Sequence, residues 1–261
     1  MFDEGVLTSP VNDFIWSLPI EKCGDTELDW TIKNLSANFQ KLYGCTINLL
    51  QVQNFDFNDK SDSNVDLATL CTNLIEYFFL KINTIWELCY QIYLKLCDPK
   101  KTSKRSKHEY LEIEFDNYRR STGREITLDW YEPINAVRNR IAHGGFSIKS
   151  FLSDDFLLFQ VYNRDLDEQI VDKLGYVVHD KPLVYVDLYT TFYTTKTHQY
   201  IQEFLAFVIN RMGNVGSTDE GLDILDRELR NSGKALYYGY EEIFISTAQQ
   251  LGKRGFRSRA C

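Results

Sequence analysis

Glycine and proline are scarce in this sequence, and it has no long apolar run. Its 261 residues include only 14 Gly and 5 Pro, so few segments are forced into turns, which favours long regular elements over a many-stranded sandwich. No uninterrupted apolar stretch reaches the roughly 20 residues of a membrane-spanning helix. Residues 1–5 lack the basic and then apolar pattern of a signal peptide. We therefore expect a mainly helical protein located in the cytoplasm.

The chain also has fewer basic than acidic residues. The chain has 29 Lys and Arg against 37 Asp and Glu, which gives a net charge of −8. A protein that coats nucleic acid needs concentrated Lys and Arg to neutralise phosphates. The composition excludes that class of protein, but it leaves room for a small local RNA site.

The cysteines show no spacing typical of a metal site. None of the six belongs to a CxxC pair, and they do not alternate with histidine. In a helix, a cysteine on an apolar stripe behaves as a small hydrophobic residue. We therefore expect reduced, structural thiols, with no metal and no cofactor.

Three helices are predicted in the first half of the chain. Asp25 or Thr26 is expected to begin a helix that runs to about residue 57, with Gly44 as a possible kink or break. Residues 65–98 carry apolar side chains every three or four positions, which is typical of a core or dimer-forming helix, and Pro99 ends it. A third helix is predicted over about 108–120.

A short, sharply bounded helix follows at about 133–143. Pro133 suits the first turn, where its missing N–H costs nothing. Asp129 and Glu132 add negative charge near the positive end of the helix, and Gly144 supplies a left-handed stop. We refer to this element as the motif helix.

The pattern then changes to short β-branched and aromatic runs. Residues 156–162 and 183–186 predict two or three strands of a small sheet inserted at about 155–187. Asp187 or Thr190 is expected to begin another helix, which runs to Met212. Two further helices are predicted at 218–231 and 233–251.

These elements suggest four regions. Residues 1–24 form an irregular lead-in, and residues 25–215 form a helical domain that contains the strand insertion. Residues 216–252 supply C-terminal helices packed on that domain, and residues 253–261 form a basic tail.

The motif helix separates an apolar stripe from a polar arc. At about 100° per residue, Ile134, Val137 and Ile141 fall on one side. Arg138 and His143 lie about 140° apart at the edges of the other side. Between them lie three small or polar residues, which are Asn135, Asn139 and Ala142. One copy of the helix cannot easily bring both edges to one substrate, so we expect two copies facing each other across a two-fold axis.

Arg138, Asn139 and His143 resemble the signature of the HEPN family. That signature is an arginine, four to six residues and then a histidine, often with a polar residue directly after the arginine. The resemblance covers at most residues 25–215, and only residues 133–145 are specific. It implies an antiparallel helical bundle that dimerises and cleaves RNA without metal, leaving 2′,3′-cyclic phosphate ends. The strands depart from the minimal all-helical bundle, so we interpret them as an insertion.

The residue types suit this chemistry. Histidine titrates near neutral pH and can take the 2′-OH proton or protonate the leaving 5′-oxygen. Arginine stays charged and can hold the scissile phosphate. We therefore predict His143 and Arg138 as catalytic residues, while Asn139 either orients His143 or contacts the phosphate. DNA lacks the 2′-OH and should resist cleavage.

Other basic residues are weaker candidates for RNA binding. Residues 100–108 hold five Lys or Arg in nine positions. This segment is either a solvated loop or a binding site for RNA phosphates. The basic members of this segment are Lys100, Lys101, Lys104, Arg105 and Lys107. Arg140 lies away from the polar arc and is either structural or an RNA contact.

Three functions remain open from sequence. The first is a dimeric RNA endonuclease, acting as a toxin or as a phage-defence or stress effector, with an antitoxin or defence-system protein as a possible partner. The second is a catalytically silent helical dimerisation or RNA/nucleotide-binding module that regulates a partner protein. The third is a structural helical subunit in which Arg138 and His143 have no shared role.

Overall fold

A computed structural model of the chain describes residues 11, 14, 15, 18, 25–53, 67–99, 106–124, 127–128, 131–143, 148–153, 156–160 and 183–212. In these ranges the chain is mainly helical and carries one small antiparallel sheet after the motif helix, as the sequence predicts. The elements in chain order are α1 (Thr26–Gln53), α2 (Leu67–Cys97), α3 (Lys107–Thr122), α4 (Tyr131–His143), β1 (Lys149–Ser153), β2 (Phe156–Gln160), β3 (Leu183–Tyr185) and α5 (Val186–Met212). Most of the predicted lead-in 1–24 and all of the predicted regions 216–252 and 253–261 lie outside the described residues.

Helix α1 begins at the predicted cap. The side-chain Oδ1 of Asp25 accepts hydrogen bonds from the backbone N–H groups of Glu27 and Leu28, at 2.9 and 3.1 Å. These bonds satisfy donors that the first turn of a helix leaves without partners. The predicted break at Gly44 is wrong, because α1 continues through this residue to Gln53. Burial of the flanking Leu42 and Cys45 stabilises the helix on both sides of the glycine.

Helix α2 is the central element of the core. It packs against α1, α4, α5 and β1. The middle of the predicted apolar stripe is buried, including Cys89, whereas Leu70 near its start is 38% exposed, so most of the stripe forms the core of a single chain. At its middle, Phe79 contacts Phe159 of β2 and Tyr189 of α5, with ring centroids 6.3 and 5.8 Å apart. This contact joins the sheet to the helices.

Helix α3 has caps at both ends. Ser106 accepts from the backbone N–H of Glu109, and the Glu109 carboxylate accepts from the backbone N–H of Ser106, which is a capping box. At the other end Gly123 adopts φ 69°, the left-handed conformation that favours glycine. The predicted helix over 108–120 is therefore confirmed, with boundaries slightly wider than expected.

The sheet has the order β1-β2-β3, and both pairs are antiparallel. It starts at Lys149, earlier than the predicted insertion, and β3 leads directly into α5. Ser150 on β1 donates a hydrogen bond of 2.7 Å to the backbone oxygen of Ala68 on α2. The sheet is thus attached to the helical core through its first strand as well as through Phe159. Among the described helices, none is both long and apolar enough to cross a membrane.

Candidate functional site

Burial sets the rotation of α4. Ile134 and Val137 are completely buried, and Ile141 is half-buried against the core. The opposite side of the helix therefore faces away from the core, as the apolar stripe predicts. Arg138 and Asn139 are half-buried there, and His143 is exposed at the end of the helix.

Arg138 is held by its neighbour. Its Nη1 donates a hydrogen bond of 2.7 Å to Oδ1 of Asn139. Its Nε is buried and has no hydrogen-bond partner within the part of the chain that the structure describes. Asn139 thus contacts Arg138 through one of the several N–H donors of the guanidinium group, the group that suits a phosphate oxygen.

The structure does not bring Arg138 and His143 into contact within one chain. They lie on α4 five residues apart, about 140° around the helix. Arg140 is exposed in the last turn of α4, and Lys107 is half-buried at the start of α3. The remaining basic candidates, which are Lys100, Lys101, Lys104 and Arg105, lie outside the described residues.

A groove of about 730 Å³ lies beside the motif face of α4. Sequence reasoning missed it. Helices α2, α3 and α4 and the segment before α4 form its walls. Its described lining residues are Trp86, Glu87, Tyr90, His108, Glu112, Phe115, Asp116, Arg119, Thr127, Leu128, Tyr131, Glu132 and Asn135. Pairs four residues apart recur on each helix, as in Trp86 with Tyr90 and in His108 with Glu112. This spacing places both members on one helix face and is the only sequence signal for the groove.

Aromatic rings form one wall of this groove. The rings of Tyr131 and Trp86 stack with centroids 5.0 Å apart and an interplanar angle of 12°. The imidazole of His108 lies 5.2 Å from Trp86 at 32°, and 5.6 Å from Tyr90 in an edge-to-face arrangement. Trp86 and Tyr131 are buried, whereas 44% of the His108 side chain is exposed. His108 is thus the accessible ring of this cluster.

Tyr131 links the groove to the motif face. Its phenol donates a hydrogen bond to Oδ1 of the buried Asn83 and lies 3.4 Å from Oδ1 of Asn135. Burial raises the pKa of Tyr131, the negative charge of Glu87 raises it further, and the positive charge of Arg138 opposes this. Glu87 and Arg138 therefore both lie close enough to the phenol to act on it electrostatically.

The groove carries more negative than positive charge. Asp116 is neutralised by Arg119 and Arg120, at 2.7 and 2.6 Å. His108 Nδ1 lies 3.4 Å from Glu112. The two remaining carboxylates of the lining, Glu87 and Glu132, are exposed and form no salt bridge with the described residues. They are free to accept hydrogen bonds from a ligand.

Histidine, cysteine and acidic side chains do not cluster in groups of three or more anywhere in the described ranges, so these ranges contain no candidate metal centre. Comparisons with known proteins give no match: no family model fits the sequence, and no curated protein and no solved structure is similar to this chain.

Proposed function

We propose that this protein is a metal-independent RNA endonuclease of the HEPN type that acts as a dimer. The observation that carries the proposal is the placement of the three candidate residues on α4. Arg138 is positioned by Asn139, while His143 is exposed at the end of the same helix. These are the groups that transfer of an RNA phosphate requires.

The reaction uses the 2′-OH of the RNA as the nucleophile. One His143 imidazole takes the 2′-OH proton, and the 2′-oxygen attacks the neighbouring phosphorus. The bond from phosphorus to the 5′-oxygen breaks, and that oxygen receives a proton from an imidazolium. The products are a 2′,3′-cyclic phosphate and a 5′-OH, with no net change in protons. Arg138 stabilises the negative charge that builds on the phosphate oxygens.

Two protomers are needed because of the geometry of α4. Arg138 and His143 point about 140° apart around one helix, too far for both to reach one phosphate directly. In a two-fold dimer, the motif faces of two α4 helices would enclose two arginines and two histidines in one cleft. This arrangement would also supply one imidazole as base and a second as acid.

The test is an RNA cleavage assay with purified protein in excess EDTA. Wild type is expected to release fragments that end in 2′,3′-cyclic phosphate, and DNA of the same sequence is expected to stay intact. His143→Ala and Arg138→Ala are expected to abolish cleavage. Lys33→Ala is the control, because Lys33 is an exposed cation on α1 that belongs to none of the candidate RNA contacts. Cleavage that survives both substitutions, or that requires Mg²⁺, contradicts the proposal.

A role as a toxin or phage-defence effector predicts that expression in a host cell stops growth and degrades RNA. His143→Ala is expected to relieve both effects.

The acidic groove favours a second candidate function, a catalytically silent module that regulates a partner protein. That function predicts that wild-type protein is harmless and inert on RNA, and that it forms a stable complex with the partner.

A further inference from the structure

We propose that the groove between α2, α3 and α4 binds an unpaired guanine base of the RNA, with Glu87 accepting hydrogen bonds from the base. This inference rests on the proposed ribonuclease function, since it assigns a substrate to a surface next to the motif. It adds a specificity-determining residue to a site that otherwise recognises only the backbone of RNA.

The walls of the groove suit a flat, aromatic ligand. Proteins recognise single-stranded RNA by splaying bases out and stacking them on aromatic rings, including histidine. His108 presents the exposed ring of the Tyr131–Trp86–His108 cluster, and Tyr90 is half-buried beside it. The volume of about 730 Å³ lies in the range of about 300–1,000 Å³ that is typical of small-ligand sites.

The charges orient the nucleotide. Glu87 and Glu132 would repel a phosphate that entered the groove, so the backbone has to stay outside. Arg138 does not line the groove, but it lies three residues after Asn135, which does, and residues three apart are neighbours on a helix surface. A base in the groove therefore leaves its own phosphate next to the motif arginine.

A carboxylate selects guanine among the four bases. The Watson–Crick edge of guanine presents two adjacent donors, N1–H and the 2-amino group, which match the two oxygens of a carboxylate. Adenine and cytosine present one amino group beside a ring acceptor, and uracil presents one N–H between two carbonyl groups. Each of these places an acceptor against the negative charge of Glu87.

Guanosine, which has no phosphate, is the direct probe. Full-length wild-type protein is titrated with guanosine, inosine and adenosine by calorimetry, and inosine differs from guanosine only by the missing 2-amino group. Guanosine is expected to bind at least about tenfold tighter than the other two. Glu87→Gln is expected to weaken guanosine binding at least about tenfold. Glu76→Gln is the matched control, because Glu76 is on α2 but does not line the groove, and it should have no effect.

Glu87 is exposed, so its substitution should leave the fold intact, and thermal unfolding of each variant checks this. Equal binding of guanosine and inosine, absence of guanosine binding, or a basic peptide that binds while guanosine does not overturns the inference. Guanosine binding by a protein that fails to cleave RNA contradicts the proposed function alone. Cleavage of RNA without guanosine binding contradicts this inference alone.

Discussion

Tyr131→Phe tests the buried hydrogen bond between α4 and α2. The substitution keeps the stacked ring on Trp86 and removes only the hydroxyl that donates to Oδ1 of Asn83. Asn83 is 5% exposed, so water cannot easily replace the donor. A buried acceptor left without its partner costs about 1–3 kcal/mol. We expect Tyr131→Phe to lower the free energy of unfolding by this amount.

The pair Asn83 and Tyr131 also allows a double-mutant cycle. Asn83→Leu removes the acceptor, and the phenol keeps its weaker contact with Asn135. Replacing both partners by apolar groups can be nearly neutral, so the double variant is expected to be more stable than the sum of the single losses by about 1 kcal/mol or more. Urea unfolding followed by circular dichroism measures each variant, and Tyr110→Phe, on α3, is the control. Single losses below about 0.5 kcal/mol that simply add would refute the reasoning.

Three further predictions concern stability. Phe79→Ala removes a fully buried ring from the contact with Phe159 and should cost about 3–5 kcal/mol in urea unfolding. Ser106→Ala breaks the capping box of α3 and should cost about 1 kcal/mol, whereas Ser121→Ala, at the exposed end of the same helix, should cost less. Burial raises the pKa of the Cys45 thiol from 9.0 to about 12; this group therefore stabilises the fold below pH 9, and its contribution is lost between pH 9 and 12. Going from pH 7.5 to 10 should cost wild type about 1.4 kcal/mol more than Cys45→Ala.

Most elements of the fold could be predicted because they carry a local signal, but strand β1 (Lys149–Ser153) was not predicted. The three- and four-residue spacing of α2 and the apolar and aromatic runs of β2 and β3 appear within single short windows of sequence. The predicted break at Gly44 was wrong. One glycine lowers helix stability by about 1 kcal/mol, which is less than the stabilisation gained by burying its apolar neighbours. Tertiary packing decided the conformation there.

The groove could not be predicted, because its walls come from residues that are distant in sequence. Trp86, His108 and Tyr131 meet only after α2, α3 and α4 have packed, and no local pattern encodes that contact. Asn83 is a similar case. An isolated asparagine in an apolar stripe predicts either an exposed residue or a buried one with a partner, and its partner lies 48 positions away.

A subunit-mixing experiment tests the shared site directly. If Arg138 of one protomer and His143 of its partner act on the same phosphate, then Arg138→Ala and His143→Ala chains complement each other. A mixed dimer still holds one intact arginine and one intact histidine, contributed by different protomers. Random reassortment after joint refolding makes about half of the dimers mixed.

We therefore expect the two inactive variants to regain RNA cleavage after joint refolding. The rate of this cleavage depends on whether one histidine alone supports both proton transfers. The fold sets this expectation, because burial of Ile134 and Val137 prevents α4 from rotating to bring both side chains to one side. A mixture of separately refolded variants controls for residual activity. A differentially tagged dimer of one wild-type and one His143→Ala chain reports whether one histidine supports both proton transfers. If that dimer cleaves RNA and the tagged Arg138→Ala/His143→Ala dimer does not, both residues of each active site lie on one protomer, which contradicts the two-protomer geometry.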